Sequence, residues 1–320
     1  MAQPTLSQVH IDSALTNAST AYQQSQDQFI ATKVFPVVPV EKQSGKVFTY
    51  TKNDWFRDEA KVRADATESA GSGYGITTAS YSADVFALHK DIGEQARANA
   101  DPGIDLERDA TRFITQRMLL RMEIQWVTDL FTTGVWANDV TPSTLWSDQT
   151  GSDPINDMET AKETILSTTG QEANTLVLGY QVYRQLKNNP DIIDRIKYTN
   201  SVDGRTVTPE LLAAMFDVER VFVAKAIKAT NVEGETAAYS FVHGKHALLL
   251  HVPDNPSLLT PSSGYTLVWR GVDYGMGQNN IGIKRMDVPL TNAIRVEGQI
   301  AFDFKVLGTD LGYFFNSAVA

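Results

Sequence analysis

No cysteine occurs among the 320 residues. Its absence removes disulfides, thiolate nucleophiles and cysteine metal sites together, so any toughness must come from burial and topology. No apolar run reaches the roughly 18 residues that a membrane-crossing helix needs. The start, Met1-Ala-Gln-Pro-Thr, has neither the basic nor the apolar segment of a secretory leader. The expectation is a soluble product of a cytoplasm, with no membrane. Positive charge is also short, with 28 Lys and Arg against 38 Asp and Glu and a net charge of −10. Binding to nucleic acid irrespective of sequence relies on cations that neutralise phosphates. The balance disfavours a DNA-binding module but not a protein that merely surrounds DNA. What remains is 42% apolar and 21% charged, a globular composition long enough for one extended domain or two ordinary ones.

The most telling stretch is 46–100. Lys46-Val-Phe-Thr-Tyr-Thr-Lys52 and the returning run at 76–86 are rich in β-branched and aromatic residues, which predicts a long two-stranded arm. Between them lie the mixed-charge stretch 54–68 and the hinge-like Gly71-Ser-Gly-Tyr-Gly75. An isolated ribbon is marginal in water, so the arm needs something outside its own fold, most economically another copy of the chain. The segment 1–44 starts Gln/Ser/Thr-rich and ends in Phe35-Pro-Val-Val-Pro-Val40. Its first 28 residues would fray unless other subunits hold them down.

A long helix is predicted over 101–134, capped by Asp101 with Pro102 at its first position and ended by Gly134. Leu106, Ala110, Phe113, Leu120, Ile124, Val127 and Phe131 are its expected apolar face. The counterpart is a strand over 294–306. Ile294, Val296, Ile300, Phe302, Phe304 and Val306 alternate with Arg295, Glu297, Gln299, Asp303 and Lys305. Roughly 29 helical residues within 101–134 and about 13 strand residues each come to about 43–44 Å, so the two are expected to lie along each other, with Gly298 marking a bulge. Between them, 171–288 reads as a compact α/β lobe. It would hold a buried strand at 175–178, a helix at 180–189 stopped by Pro190, and a helix begun by Thr208-Pro209. Strands are expected at 220–227 and 239–252.

Little here carries chemistry. His243, His246 and His251 form a cluster, but in a strand the first two would face opposite ways, so neither a metal nor any other cofactor is expected. Gly71–Gly75 lacks the spacing of a phosphate loop, and no nucleophile elbow is present. Asp58 and Glu59 sit among Arg57, Lys61 and Arg63, where ion pairing outweighs acid–base work. With Trp55 and Phe56, these residues read as a contact face between protein chains. No catalytic residue is identified, and the protein is not expected to be an enzyme.

The order of these parts resembles the major capsid proteins of tailed double-stranded DNA bacteriophages, the Hong Kong 97-like shell fold. Several stretches resemble one branch of that family in wording too. They are Lys46-Val-Phe-Thr-Tyr, Asp54-Trp-Phe-Arg-Asp-Glu-Ala60, Tyr81-Ser-Ala-Asp-Val-Phe-Ala-Leu-His-Lys-Asp91, Thr175-Leu-Val-Leu-Gly-Tyr180, Phe241-Val-His-Gly-Lys245 and Asp310-Leu-Gly-Tyr-Phe-Phe315. The resemblance implies an α+β fold with an N-terminal arm (1–44) and an extended β-hairpin loop (45–90). A peripheral domain (91–170 and 289–320) would contain a spine helix (101–134), and an inserted α/β axial domain would span 171–288. Trp55, Phe56, Arg57, Asp58, Glu59, Lys61 and Arg63 would contact a neighbouring subunit. Phe113, Leu120, Ile124, Val127, Phe131, Ile300, Phe302 and Phe304 would form the core of spine and strand.

The implied function is an icosahedral shell of pentamers and hexamers that encloses the phage genome without sequence-specific binding. It would be assembled in the host bacterial cytoplasm and found in the virion. The implied partners are further copies of the chain, a portal, a decoration protein and a scaffold. Because the sequence starts directly at the arm, the scaffold is expected to be a separate protein. Some members weld subunits by a Lys–Asn isopeptide bond helped by a Glu. Lys52 or Lys61, Asn292 and Glu297 are the residues that could stand in those roles here. The rival readings are an encapsulin-type compartment shell and a soluble hydrolase or binding protein centred on 171–288.

Overall fold

A computed structural model describes residues 24–100, 104–199, 207–257, 260–271 and 281–320. The expectations for the first 23 residues, for the Asp101-Pro102 cap and for most of the loop at 271–280 lie outside the described residues. Within them the fold is mixed α+β. Its strands, in chain order, are β1 (Val37–Val40), β2 (Ser44–Tyr50), β3 (Ile76–Ser82), β4 (Asp84–Gly93), β5 (Asn138–Val140), β6 (Thr175–Gly179) and β7 (Arg220–Ala224). They continue with β8 (Ile227–Ala229), β9 (Tyr239–Phe241), β10 (Ala247–Leu250), β11 (Gly264–Trp269), β12 (Gly282–Val288), β13 (Ala293–Val306) and β14 (Gly312–Phe315).

The 14-residue β13 organises the first sheet. β4 pairs antiparallel along one edge, from Gly93 opposite Ala293 to Asp84 opposite Phe302. The other edge takes β12 against 293–299 and β11 against 302–306, and β1 joins β11 in parallel. The second sheet has the order β5-β14-β10-β6-β7. Two placements depart from the expected partition. β11 and β12, inside the span read as a central lobe, pair with β13, because a strand that long exposes two edges needing partners. β14, close to the C-terminus, instead lies between β5 and β10 in the second sheet. The runs read as single strands at 220–227 and 239–252 each break into two.

The second sheet is buried on both faces. Val177, Leu248, Leu250 and Phe314 pack with the long helix and β13, while Leu176, Leu178, Ala247, Leu249, Tyr313 and Phe315 pack against the outer helices. A sheet covered on both faces reads as a near-continuous apolar run, as in Leu176-Val-Leu178. One covering helix, Pro154–Thr169, went unpredicted although its ends carry the usual signals. Asp153 accepts a hydrogen bond from the Asn156 amide, Pro154 occupies the first turn, and Gly170 closes the helix at φ +67°. Pro190 opens the helix Pro190–Thr199 as well as following Tyr180–Lys187. At Thr208, whose side chain accepts from the Leu211 amide, the helix Pro209–Phe216 begins.

The long helix runs from Leu106 to Leu130, with Asp105 accepting from the Arg108 amide. Its 25 residues give about 38 Å, shorter than expected at both ends, while β13 reaches about 48 Å. Gly134, at φ +81°, lies beyond the helix end. The buried face is also shifted. Ala110, Ile114, Met118, Leu119, Met122, Glu123, Trp126 and Leu130 are buried; Leu106, Leu120, Ile124 and Val127 flank them, half-buried. Phe113 is the clear correction. It is 44% exposed, and Lys90 and Arg117 stand 5.6 and 5.2 Å from its ring centre, so it is a platform for cations rather than core. Phe131, Ile300, Phe302 and Phe304 are buried.

Gly298 forms no bulge either, since pairing runs unbroken through it to Ile283 on one side and Leu88 on the other. A Cβ there would stand 2.4 Å from Ile114 Cγ2. The glycine lets the helix settle onto the strand.

Residues 24–28, the described part of the stretch expected to fray unless held down, and the segment that follows them are fastened by their own chain. The Gln24 amide both donates to and accepts from the Ile227 backbone, at 2.9 and 3.0 Å. Phe29, Ile30, Ala31, Val34 and Phe35 are buried against the long helix.

Candidate interaction surface

The ribbon is shorter than the sequence suggests. β2 and β3 pair from Ser44 opposite Ser82 to Tyr50 opposite Ile76. At Ala83, fully buried, the returning strand leaves the ribbon and continues as β4 in the first sheet. The far end holds a one-turn helix, Lys52–Trp55, and then residues 56–75 without helix or strand. A connection of that length is rare unless it is functional.

Local chemistry shapes its base. The Thr51 amide donates to the Gly75 carbonyl, and the Gly75 amide donates to Asp54 Oδ2 at 2.9 Å, closing the loop where it leaves the strands. Tyr50, Trp55 and Tyr74 gather over this closure with ring centres 5.7–6.2 Å apart. Lys52 is ion-paired with Asp310 after β13, tying the base to the body. Phe56 points back to the end of the Pro154–Thr169 helix, with Gly170 beside its ring.

Beyond that the surface is open. Phe48, Trp55, Phe56, Val62, Tyr74 and Ile76 are all exposed, Val62 completely. Arg57 and Glu59 approach only to 3.9 Å and both stay in solvent, a pairing worth little. Asp58, Lys61 and Arg63 are exposed, and Arg63 donates to the Thr67 carbonyl of its own loop. Six large apolar side chains stand exposed on the ribbon and its loop, among charges that stay in solvent, a surface of the kind that marks a protein contact. Of the residues named for a covalent weld, Lys52 has Asp310 as partner, Lys61 and Asn292 are exposed, and Glu297 accepts from Gln299.

The histidines are placed differently from the expectation. His243 and His246 sit not in a strand but in the turn between β9 and β10, where Gly244 takes φ +61°. Both rings fold onto Phe131, at 5.1 and 6.0 Å. His251 bonds the Glu172 carbonyl through Nδ1 at 2.6 Å. Among the described residues no group of three potential ligands converges on a point, and no helix is long and apolar enough to cross a membrane. The outer helices border an open depression of about 540 Å³ lined by Asp153, Ile155, Asn156, Glu159, Asp191, Asp194 and Arg195. It sets acids beside one arginine without a histidine, serine or cysteine.

No protein-family profile matches the chain. It is 29% identical over 275 residues to the "Major capsid protein" of Burkholderia phage BcepMu, covering 82% of this chain and 84% of that protein. A phage-related protein from Bordetella bronchiseptica RB50, known from a crystal structure, is 26% identical with a TM-score of 0.69, over 96% of this chain and 97% of that one. At the level of fold alone, the capsid of cyanophage P-SCSP1u matches at a TM-score of 0.61 and 10% identity, over 93% and 89% of the two chains. The SrpI encapsulin of Synechococcus elongatus PCC 7942 matches at 0.50 and 12%, over 96% and 95%.

Proposed function

We infer that this chain is a bacteriophage major capsid protein, which self-assembles into the icosahedral shell around a double-stranded DNA genome. The observation that carries the reading is the similarity to the BcepMu capsid protein across four-fifths of both chains. The whole-chain likeness to capsid structures supports it. An encapsulin-type compartment shares the architecture, but the relative with the higher identity is a capsid protein. The role is structural rather than enzymatic.

Within this reading the architecture is Hong Kong 97-like. Residues 1–44 are the N-terminal arm and 45–90 the extended loop. The peripheral domain holds the spine helix and β13, and the axial domain occupies 171–288 apart from β11 and β12. The extended loop lies over an adjacent subunit in a pentamer or hexamer, with Trp55, Phe56, Arg57, Asp58, Glu59, Lys61 and Arg63 in the contact. Exposed aromatics and arginine are the anchors such interfaces use, and the loop has no core of its own to bury them. A scaffold, a portal and a decoration protein complete the partners, with assembly in the host cytoplasm and final residence in the virion.

Expression of the full chain followed by negative-stain electron microscopy tests the function. Closed shells, tubes or capsomers are the expected result. A protein that stays monomeric at high concentration would count against it.

A further inference from the structure

Glu123 lies in the middle of the long helix with no exposed surface, in a place the helix pattern reserves for an apolar side chain. Its carboxyl group meets residues about ninety positions earlier. Oε2 accepts the amides of Ile30 at 3.0 Å and Ala31 at 2.9 Å, the two donors at the start of the Ala31–Val34 turn. Oε1 takes a longer contact from Ile30, 3.2 Å, and faces His243 Nε2 at 3.5 Å. His243 is 1% exposed, its ring lies 5.4 Å from Trp126 and 5.1 Å from Phe131, and neither of its nitrogens has a hydrogen-bond partner. A buried ring nitrogen without a partner is costly, and the polar atom it faces is Oε1.

Lys33 favours the charged form of Glu123, but burial outweighs it. That lysine comes from the 31–34 turn, and its Nζ turns outward to Asp27 at 3.3 Å. The turn that carries His243 also carries His246, but its ring faces Phe131 and Phe314 and feels Asp139. The second sheet contributes apolar Leu248 and Phe314, and the long helix contributes Trp126 and Met122. In such a nest two neutral partners are favoured over a bare carboxylate or an imidazolium.

We propose that Glu123 and His243 share one buried proton between Oε1 and Nε2, and that this neutral pair is the latch that fastens residues 29–35 to the long helix. With the proton on Oε1, the carboxyl O–H donates to Nε2 while Oε2 keeps both backbone amides. One group thereby joins the N-terminal segment, the helix and the β9–β10 turn. The latch is a property of the folded chain and holds whether or not the chain builds shells.

The pair leaves a specific pH signature. Burial lifts the Glu123 carboxyl to about 7 and lowers the His243 imidazole to about 3. The raised carboxyl contributes stability that is full below its ordinary value of 4.5 and lost as pH rises through about 7. The lowered imidazole contributes stability that is full above 6.5 and lost as pH falls toward about 3. Between these ordinary values the folded pair holds one proton, on the carboxyl, and the unfolded chain also holds one, on the imidazole. Their slopes cancel.

Each single substitution uncovers one slope. Relative to the wild type, Glu123→Gln should lose folding equilibrium constant as pH falls from about 6.5 to 4.5, approaching tenfold per pH unit. His243→Leu should gain it over the same range. The double variant should run parallel to the wild type. Urea titrations of the unassembled full chain across this range measure all four. Parallel profiles for both single variants, merely offset, would overturn the shared proton. The latch has its own readout. In Glu123→Leu, which removes the acceptor for both amides, exchange across 29–35 should quicken about tenfold or more beyond any change in β13; a rise at 29–35 no larger than in β13 would overturn it.

Discussion

Phe113 and Phe302 are the same residue type on two elements that pack together, yet one is exposed and the other buried. Phe302→Ala should therefore destabilise the chain by about 3–5 kcal/mol. Phe113→Ala, which loses a half-solvated ring and its cation contacts, should stay within about 1 kcal/mol; urea midpoints of the two variants compare them directly. Gly298 offers a sharper test. The stiff Ile114 side chain blocks any Cβ there, so Gly298→Ala should cost about 1–3 kcal/mol. Much of that cost should vanish in an Ile114→Ala background, a coupling that a double-mutant cycle measures. The sequence marks Gly298 as unusual but not why, because a bulge and a close approach by a helix leave the same letter. Glu123 is less legible still. Its donors, Ile30 and Ala31, are backbone amides, which no side-chain pattern announces.

Helices with side-chain caps are legible when both ends are read. Thr208-Pro209 announces its helix, and Asp153-Pro154 with Gly170 carries the same information for Pro154–Thr169. Asp153→Ala should cost that helix about 1 kcal/mol and Asp153→Ser much less, as thermal unfolding would show. The sequence shows the long helix and part of its core face, Ala110 and Phe131 with Leu106, Leu120, Ile124 and Val127 beside them, but not Ile114, Met118, Met122 or Trp126. Different elements cover that face along its length, with Gly298 of β13 against Ile114, the 30–31 amides against Glu123, and Phe35 against Trp126. A single periodic stripe cannot describe a face that changes partner. The alternation of β13 was readable because the strand keeps one face to the core throughout. The ribbon was readable in composition but not in length, since Ala83 hands the returning strand to another sheet with no break in β propensity. Deleting residues 53–74 should leave circular dichroism and the urea midpoint nearly unchanged, because that segment adds no core. The same deletion should abolish closed particles; normal particles would separate the loop from assembly.

At the scale of the whole molecule, the core that contains the long helix and the N-terminal segment takes in residues of both sheets, and with no cysteine in the chain it holds without disulfides. The exposed loop at 56–75 is the part this body does not explain. A net charge of −10 suits a wall that encloses a polyanion without trapping it. In a shell, this loop is expected to join neighbouring subunits. Cryo-electron microscopy of assembled particles tests it most directly, by tracing residues 54–68. Density for Trp55, Phe56 and the charges at 57–63 should lie against the adjacent subunit of the same pentamer or hexamer. Density folded onto its own subunit, or projecting free into solvent, would contradict it.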